Sequence, residues 1–172
     1  GVFGDSAAYD RVESSYLHKV IETRRGIPIS LSVLYIAVAG RVGIDLAGVS
    51  APSHYLTQYE SSDGPLFIDA FSRGRILRYD ECVEWLQGMT ELPRHQVEPT
   101  LRAATPRTTI IRMLNNLKAI YARQDDWPAA WKVQHRLSTL QPASYTERRD
   151  LAVMSVRANK PADAVDLLDA CL

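Results

Sequence analysis

The sequence predicts an α+β domain followed by an all-α segment of helical repeats. An apolar helix followed by short strands and a hairpin predicts the α+β domain, in residues 1–92. Two similar stretches offset by 34 residues predict helical repeats, in residues 99–172. Between them, Pro93 and Pro99 flank a stretch without hydrophobic periodicity, so residues 93–98 are predicted to form a linker.

The composition excludes several classes of protein. Of 172 residues, 46% are hydrophobic and 23% are charged, which is the balance of a soluble globular protein. The formal net charge is zero, which argues against a dedicated nucleic-acid binder. The longest apolar run, Val33 to Ala39, is far shorter than the roughly 20 residues of a membrane-spanning helix. We therefore expect no nucleic-acid partner and no membrane insertion.

The two cysteines and the chain start support further expectations. The spacing between Cys82 and Cys171 suggests neither a disulfide framework nor a metal site, so we expect no metal, no cofactor and a reducing cytoplasm. The chain opens on Gly1, in a glycine-rich stretch with no initiator Met and no signal-peptide pattern. We expect the chain to be an N-terminally truncated piece of a longer protein.

Two helices are predicted near the start of the α+β domain. After a loop over residues 1–10, Ser14 is placed to cap a helix that ends at Gly26. Pro28 suits the first turn of a second helix, since its missing N–H costs nothing there. Residues 29–42 are apolar on almost every side, which predicts a helix buried all round.

A hairpin brings a histidine and a carboxylate onto one sheet face. The strands at residues 54–59 and 66–71 flank the Asp63-Gly64 pair, a common hairpin turn. If the turn is centred between Ser62 and Asp63, paired residue numbers sum to 125. His54 and Asp69 then lie on the same face as diagonal neighbours, because side chains alternate with period two. A register slip of one residue would separate them. A last helix follows, capped by Asp80.

Several of these segments resemble a known family. The segments are Ser15-Tyr16-Leu17, Arg24 to Tyr35, Pro52 to Leu56 and Phe67 to Phe71. They resemble the uncharacterised bacterial transglutaminase-like proteins with appended tetratricopeptide repeats, sometimes labelled as invasion-gene regulators. The resemblance runs from about Ser14 to Leu172 and implies a transglutaminase-like (papain-like) core, with a buried helix and an antiparallel sheet.

The resemblance also implies a triad, of which one member is missing. Active relatives open the buried helix with a cysteine, and a histidine and an aspartate on adjacent strands complete the triad. His54 and Asp69 match the last two members. At the nucleophile's position this chain has Pro28, which has no nucleophilic atom. The site is therefore predicted to be a relic triad of Pro28, His54 and Asp69.

Two other residues could still supply a nucleophile. Ser30 could act with His54 and Asp69 as a serine-type hydrolase or another acyl-transfer enzyme. However, it lies two residues along the helix, about 200° around it, and would point elsewhere unless the first turn is irregular. Cys82 could act as an out-of-place nucleophile from the later helix. The leading prediction is a catalytically inactive scaffold or regulatory module.

The second part matches a 34-residue period. Leu117 and Ala130 recur as Leu151 and Ala164, and Pro142 ends the first repeat. About two repeats are visible, the last incomplete. Tandem repeats of this kind predict a protein or peptide partner, whose identity and stoichiometry the sequence does not specify. Trp127 and Trp131 in the first repeat are predicted to pack between helices rather than to form a peptide-binding face.

Overall fold

The computed structural model describes residues 1–162 and 164–165. The chain divides into two compact units, one ending at Thr109 and one beginning at Ile110. The first unit combines helices with a four-stranded antiparallel sheet, and the described part of the second is helical. The predicted α+β domain followed by an all-α segment is therefore confirmed. Among the described residues, no helix is both long and apolar enough to cross a membrane.

The first unit opens with two short strands and one helix. Strand β1 (Phe3–Gly4) pairs in parallel with β2 (Arg25–Gly26), and two 3₁₀ turns at Ser6–Asp10 and Val12–Ser15 lead into α1 (Leu17–Thr23). The predicted loop over residues 1–10 and the predicted cap at Ser14 are therefore wrong.

The predicted end of α1 at Gly26 is also wrong. Arg24 ends the helix with a φ of 58°. Gly26 instead packs against the next helix, where an added Cβ would lie 2.9 Å from Ser30 Oγ. The absence of a side chain at Gly26 thus serves close packing rather than helix termination.

Helix α2 (Pro28–Arg41) is buried over its first turns, but in its second half only Ala39 is buried. Residues 28–32 are buried, whereas Val38 is 60% exposed and Val42, just after the helix, is 69% exposed. The prediction of a helix buried all round is wrong for this second half. An all-apolar pattern does not distinguish a helix in a core from one whose apolar side lines a surface groove.

The sheet has the predicted register. Its strands are β3 (Ala47–Val49), β4 (Leu56–Ser61), β5 (Gly64–Asp69) and β6 (Arg75–Arg78), adjacent in that order. Thr57 pairs with Ile68 and Ser61 with Gly64, so paired numbers in the β4–β5 hairpin sum to 125 as predicted. The hairpin register therefore places His54 and Asp69 on the same side of the sheet.

One face of the sheet packs on helix α3 (Tyr79–Thr90) and forms the main core. Leu56, Phe67 and Leu77 lie in this core with Val83 and Leu86 of the helix, all of them at most 2% exposed. The core extends into the predicted linker. Pro93 begins a short helix, α4 (Arg94–Val97), which a 3₁₀ turn follows.

The structure thus differs from the predicted linker at residues 93–98. Val97 is fully buried in the core, and Leu101 is 6% exposed there. The prolines of this stretch start helical turns, and its single buried apolar residue is too little to produce a periodic pattern. The boundary between the compact units lies further along, after Thr109.

The second unit contains helix α5 (Pro106–Arg123) from Ile110 onward, α6 (Trp127–Leu140) and α7 (Tyr145–Arg157). Asp126 and Ser144 cap the last two through hydrogen bonds from the backbone N–H groups of Ala129 and Glu147. The matching repeat residues are all buried: Leu117, Ala130, Leu151 and Ala164. The end of the second repeat, including Cys171, lies outside the described residues.

Two polar contacts join α6 and α7. Trp131 Nε1 donates to Ser155 Oγ at 2.9 Å, and Gln134 Nε2 donates to the Glu147 backbone oxygen at 2.9 Å. Ser155 and Gln134 are fully buried. Because Trp131 bridges the two helices, the predicted role of this tryptophan in inter-helix packing is confirmed.

Candidate functional site: a buried histidine–aspartate pair

The centre of the site is a hydrogen bond between His54 and Asp69. His54 lies two residues before β4, and Asp69 is the last residue of β5. The distance from His54 Nε2 to Asp69 Oδ1 is 2.9 Å, and the residues are 5% and 0% exposed. The register of the hairpin produces this contact, since both side chains lie on one face. The sequence-based expectation that these two residues meet is therefore fulfilled in the structure.

The carboxylate of Asp69 is fixed by the turn that follows it. Its Oδ1 also accepts hydrogen bonds from the backbone N–H groups of Phe71 at 3.0 Å and Ser72 at 3.2 Å. Burial alone would raise the pKa of Asp69, but the hydrogen bonds from His54 and Ser72 outweigh it and lower the pKa below its ordinary value. Asp69 is therefore an ionised acceptor that orients the imidazole. Its second oxygen, Oδ2, is buried without a hydrogen-bond partner.

Two aromatic rings enclose the imidazole. Trp85 of α3 meets His54 edge-on with ring centroids 5.0 Å apart, and Phe71 does so at 6.1 Å. Neither aromatic residue was predicted to belong to the site. The only sequence signal for Trp85 was its place on the apolar face of α3, which indicates core packing equally well.

On its outer side, Trp85 borders an open depression. The guanidinium of Arg75 lies 5.9 Å from the Trp85 ring centroid. Together with Glu81 and Glu84, these residues line a depression of about 520 Å³ beside the buried pair. The Trp85 ring therefore contacts the buried imidazole and also lines a polar, solvent-accessible depression.

Pro28 is the first residue of α2 and is buried. One turn later, Ser32 Oγ donates to the backbone oxygen of Tyr55 at 3.3 Å. Tyr55 directly follows His54, so the first turns of α2 run beside the segment that carries the imidazole. The expectation that Pro28 is among the closest residues to the imidazole stays a prediction.

Ser30 is engaged away from the imidazole. Its single O–H lies within donating distance of the backbone oxygens of Ser14 at 2.7 Å and Ile27 at 3.0 Å, and its Oγ accepts from the Ile27 N–H at 3.1 Å. These bonds cap the start of α2 and tie it to the 3₁₀ turn that contains Ser14. A serine with this set of partners is a structural residue, and it lacks the hydrogen bond to histidine that a serine nucleophile needs.

Cys82 is unsuited to nucleophilic chemistry. It is fully buried in the core beneath the sheet. Burial raises the pKa of its thiol to about 12, and the negative charge of Asp69 adds to this effect. Since the thiolate is the reactive form, this cysteine is inert near neutral pH. Among the described residues, no group of three His, Cys, Asp or Glu side chains could bind a metal ion.

Comparisons with known proteins identify the family that each part of the chain resembles. A profile of the transglutaminase-like superfamily matches residues 1–115, and a tetratricopeptide repeat profile matches residues 117–172. A UPF0162 protein of Xylella fastidiosa strain Temecula1 is 37% identical over 153 residues, which is 87% of this chain and 54% of that protein.

Two further relatives are more distant. Protein SirB1 of Salmonella typhimurium is 25% identical over 149 residues, 86% of this chain and 55% of that protein. F-box only protein 21 of Homo sapiens is 31% identical over 129 residues, 70% of this chain and 20% of that protein. The chain thus spans about half the length of the bacterial relatives. No solved structure matches it significantly. With two thirds of its length matched by one profile, the chain belongs to the transglutaminase-like superfamily and carries tetratricopeptide repeats after that domain.

Proposed function

We propose that this chain is a catalytically inactive transglutaminase-like module that acts by binding another protein or a peptide. The observation that carries the proposal is that none of the three candidate positions, Pro28, Ser30 and Cys82, offers His54 a usable nucleophile. Pro28 has no nucleophilic atom, the Ser30 hydroxyl caps α2, and the Cys82 thiol has a pKa of about 12. A histidine–aspartate pair without a nucleophile can orient and hydrogen-bond, but it cannot form a covalent acyl intermediate.

The binding role is supported by the second unit. Tetratricopeptide repeats match residues 117–172, and stacked helical repeats commonly offer extended surfaces to peptides. In this proposal the His54–Asp69 bond has a structural role and joins the strand before β4 to the end of β5. The composition also leads us to propose a cytoplasmic protein without a nucleic-acid partner.

Activity-based labelling tests the catalytic half of the proposal. The purified chain is treated with a fluorophosphonate and, separately, with an acyl-donor peptide and an amine in a transglutaminase assay. We expect no label on Ser30 and no amine incorporation above that of the His54→Ala variant. A label on Ser30 that disappears in His54→Ala would overturn the proposal in favour of a serine-type hydrolase.

A binding measurement tests whether the chain acts by binding a partner without a covalent step. A partner recovered from a bacterial lysate is purified and titrated against the chain by calorimetry. The dissociation constant should be unchanged in His54→Ala and after alkylation of accessible thiols, because binding requires no covalent step. A partner that is released chemically altered would contradict a purely non-catalytic role.

A further inference from the structure

The buried His54–Asp69 pair lies beside an open depression that it does not line. The depression has a volume of about 520 Å³, and neither His54 nor Asp69 is among its lining residues. Its walls are the edge strand β6 and helix α3, which contribute Arg75, Ile76, Leu77, Glu81, Glu84 and Trp85. We call this the β6–α3 depression. Access to the imidazole from this side depends on what closes the inner end of the depression.

The register of the sheet brings the β6–α3 depression next to the pair. Arg75, the first residue of β6, is paired directly with Asp69, the last residue of β5. Directly paired residues project to the same face of an antiparallel sheet, with Cβ atoms about 5 Å apart. The wall of the depression therefore begins one strand away from the carboxylate that holds the imidazole.

Trp85 contacts both the imidazole and the β6–α3 depression. Its ring lies edge-on to His54, with ring centroids 5.0 Å apart, and the same residue lines the depression. Trp85 is half-buried and packs against the main core, whereas His54 is only 5% exposed. The indole therefore excludes water from the imidazole on the side of the depression.

Arg75 supports the closed position of the indole. Its guanidinium carbon lies 5.9 Å from the centroid of the Trp85 ring, which is within the range of a cation–π contact. The indole thus contacts a cation of β6 as well as the imidazole. Movement of the ring out of this position would break both contacts.

The second ring beside the imidazole, Phe71, belongs to a different part of the surface. Its centroid lies 6.1 Å from that of His54, and it also meets the ring of Tyr9 at 5.9 Å. Phe71 does not line the β6–α3 depression. Removal of the Phe71 ring should therefore not connect the depression to His54, which makes Phe71 a matched comparison for Trp85.

We propose that the Trp85 indole is a plug that closes the His54–Asp69 pair to ligands, and that the plug occupies a latent site for a planar aromatic molecule. Without the indole, the β6–α3 depression would extend to the imidazole, beside which Asp69 Oδ2 is buried without a hydrogen-bond partner. The inference goes beyond the missing nucleophile, because a pair without a nucleophile could still bind a ligand or transfer a proton. The closed pair does neither.

Modification by diethyl pyrocarbonate at pH 7, measured for each histidine by mass spectrometry, tests the proposal. The reagent acylates an unprotonated imidazole nitrogen. His54 keeps such a nitrogen at Nδ1, because its Nε2 donates to the ionised Asp69. The other three histidines, His18, His95 and His135, are exposed and serve as internal references.

Four variants separate the plug from its surroundings. Trp85→Ala removes the indole, and Trp85→Leu is the milder second variant because it keeps a large apolar side chain. Phe71→Ala removes the second ring, and Glu84→Ala alters the lining of the β6–α3 depression without removing a ring. Since Trp85 packs against the core, alkylation of the buried Cys82 thiol reports in each variant whether the core stays closed.

In the parent chain we expect His54 to react at least about tenfold more slowly than His95, because it is buried. Trp85→Ala should accelerate the reaction of His54 about tenfold and Trp85→Leu about threefold, whereas Phe71→Ala and Glu84→Ala should stay within about twofold of the parent. Indole added to Trp85→Ala should slow the reaction again, because an aromatic ring refills the vacated apolar space. Cys82 should stay unmodified throughout.

Three results would overturn the proposal. One is a parent chain in which His54 reacts as fast as the exposed histidines. A second is an unchanged rate in both Trp85 variants, or a larger acceleration in Phe71→Ala than in Trp85→Ala. The third is an acceleration that accompanies Cys82 alkylation in both Trp85 variants, or that added indole does not reverse. Hydrolase activity in Trp85→Ala would instead refute the inactive-module proposal and support the plug.

Discussion

Asp69→Asn is the substitution that most directly probes the site's electrostatics. Three hydrogen bonds converge on Asp69 Oδ1, from His54, Phe71 and Ser72. A bond to an ionised acceptor contributes about 1.5–3 kcal/mol, and a neutral one about 0.5–1.5 kcal/mol. The variant also places an amide NH₂ at the position of Oδ2, which is buried without a partner, at a cost of about 1–3 kcal/mol.

The net effect is smaller than the sum of these losses. Removing a buried charge recovers part of its desolvation cost, so we expect the free energy of unfolding to fall by about 2–4 kcal/mol at pH 7. The pKa of Asp69 is lower in the folded chain than the value of about 3.9 in an unfolded one. The ionised carboxylate therefore stabilises the fold at neutral pH, and this contribution is lost as the pH falls below about 4 towards the folded pKa.

The assay is urea unfolding followed by circular dichroism at pH 7 and pH 3. The difference between the parent chain and Asp69→Asn should be largest at pH 7 and should shrink at pH 3. Asp63→Asn is the control, because Asp63 is an exposed carboxylate in the turn of the same hairpin. A loss below about 1 kcal/mol at pH 7, or a difference that does not change with pH, would refute the reasoning.

Four further substitutions test the packing, each by urea unfolding. Leu31→Ala should cost about 2–5 kcal/mol because Leu31 is fully buried, whereas Val38→Ala should cost less than about 0.5 kcal/mol. Val97→Ala should cost about 1–3 kcal/mol if residues 93–98 belong to the core of the first unit, and almost nothing if they form a linker. Ser155→Ala should cost about 1–3 kcal/mol because it leaves Trp131 Nε1 without its acceptor. Equal losses for Leu31→Ala and Val38→Ala would contradict the one-sided burial of α2.

The sequence alone was enough to predict the contact between His54 and Asp69, because a local turn rule determines which residues of the two strands are paired. A two-residue turn before Gly64 sets the register of the β4–β5 hairpin, and that register alone brings Asp69 to the same sheet face as His54. The rest of the site could not be predicted in this way. Trp85 reaches the imidazole through the docking of α3 on the sheet, which depends on contacts between residues far apart in the chain.

Other differences between the predictions and the structure arise because one sequence pattern fits two structures equally well. Residues 33–39 are apolar whether they fill a core or line a groove, so the exposure of Val38 was not predictable from composition. Gln134 and Ser155 fit the repeat pattern poorly as side chains, yet they are buried because each finds a polar partner on the neighbouring helix. A buried polar side chain is tolerated only when a hydrogen-bond partner lies opposite it, and the residue type at a single position does not show whether that partner is there.

The central claim is that this chain keeps the histidine and aspartate of the superfamily's triad and has Pro28 at the position of the nucleophile. Pro28→Cys tests it most directly through the rate of alkylation by iodoacetamide at pH 7, measured by mass spectrometry for each cysteine. The claim predicts that Cys at position 28 reacts faster than Cys82, whose thiol has a pKa of about 12, and faster than Cys171. It also predicts that His54→Ala in the same background slows the reaction at position 28. A rate at position 28 that is no faster than that of Cys171, or that is unchanged by His54→Ala, would contradict the claim.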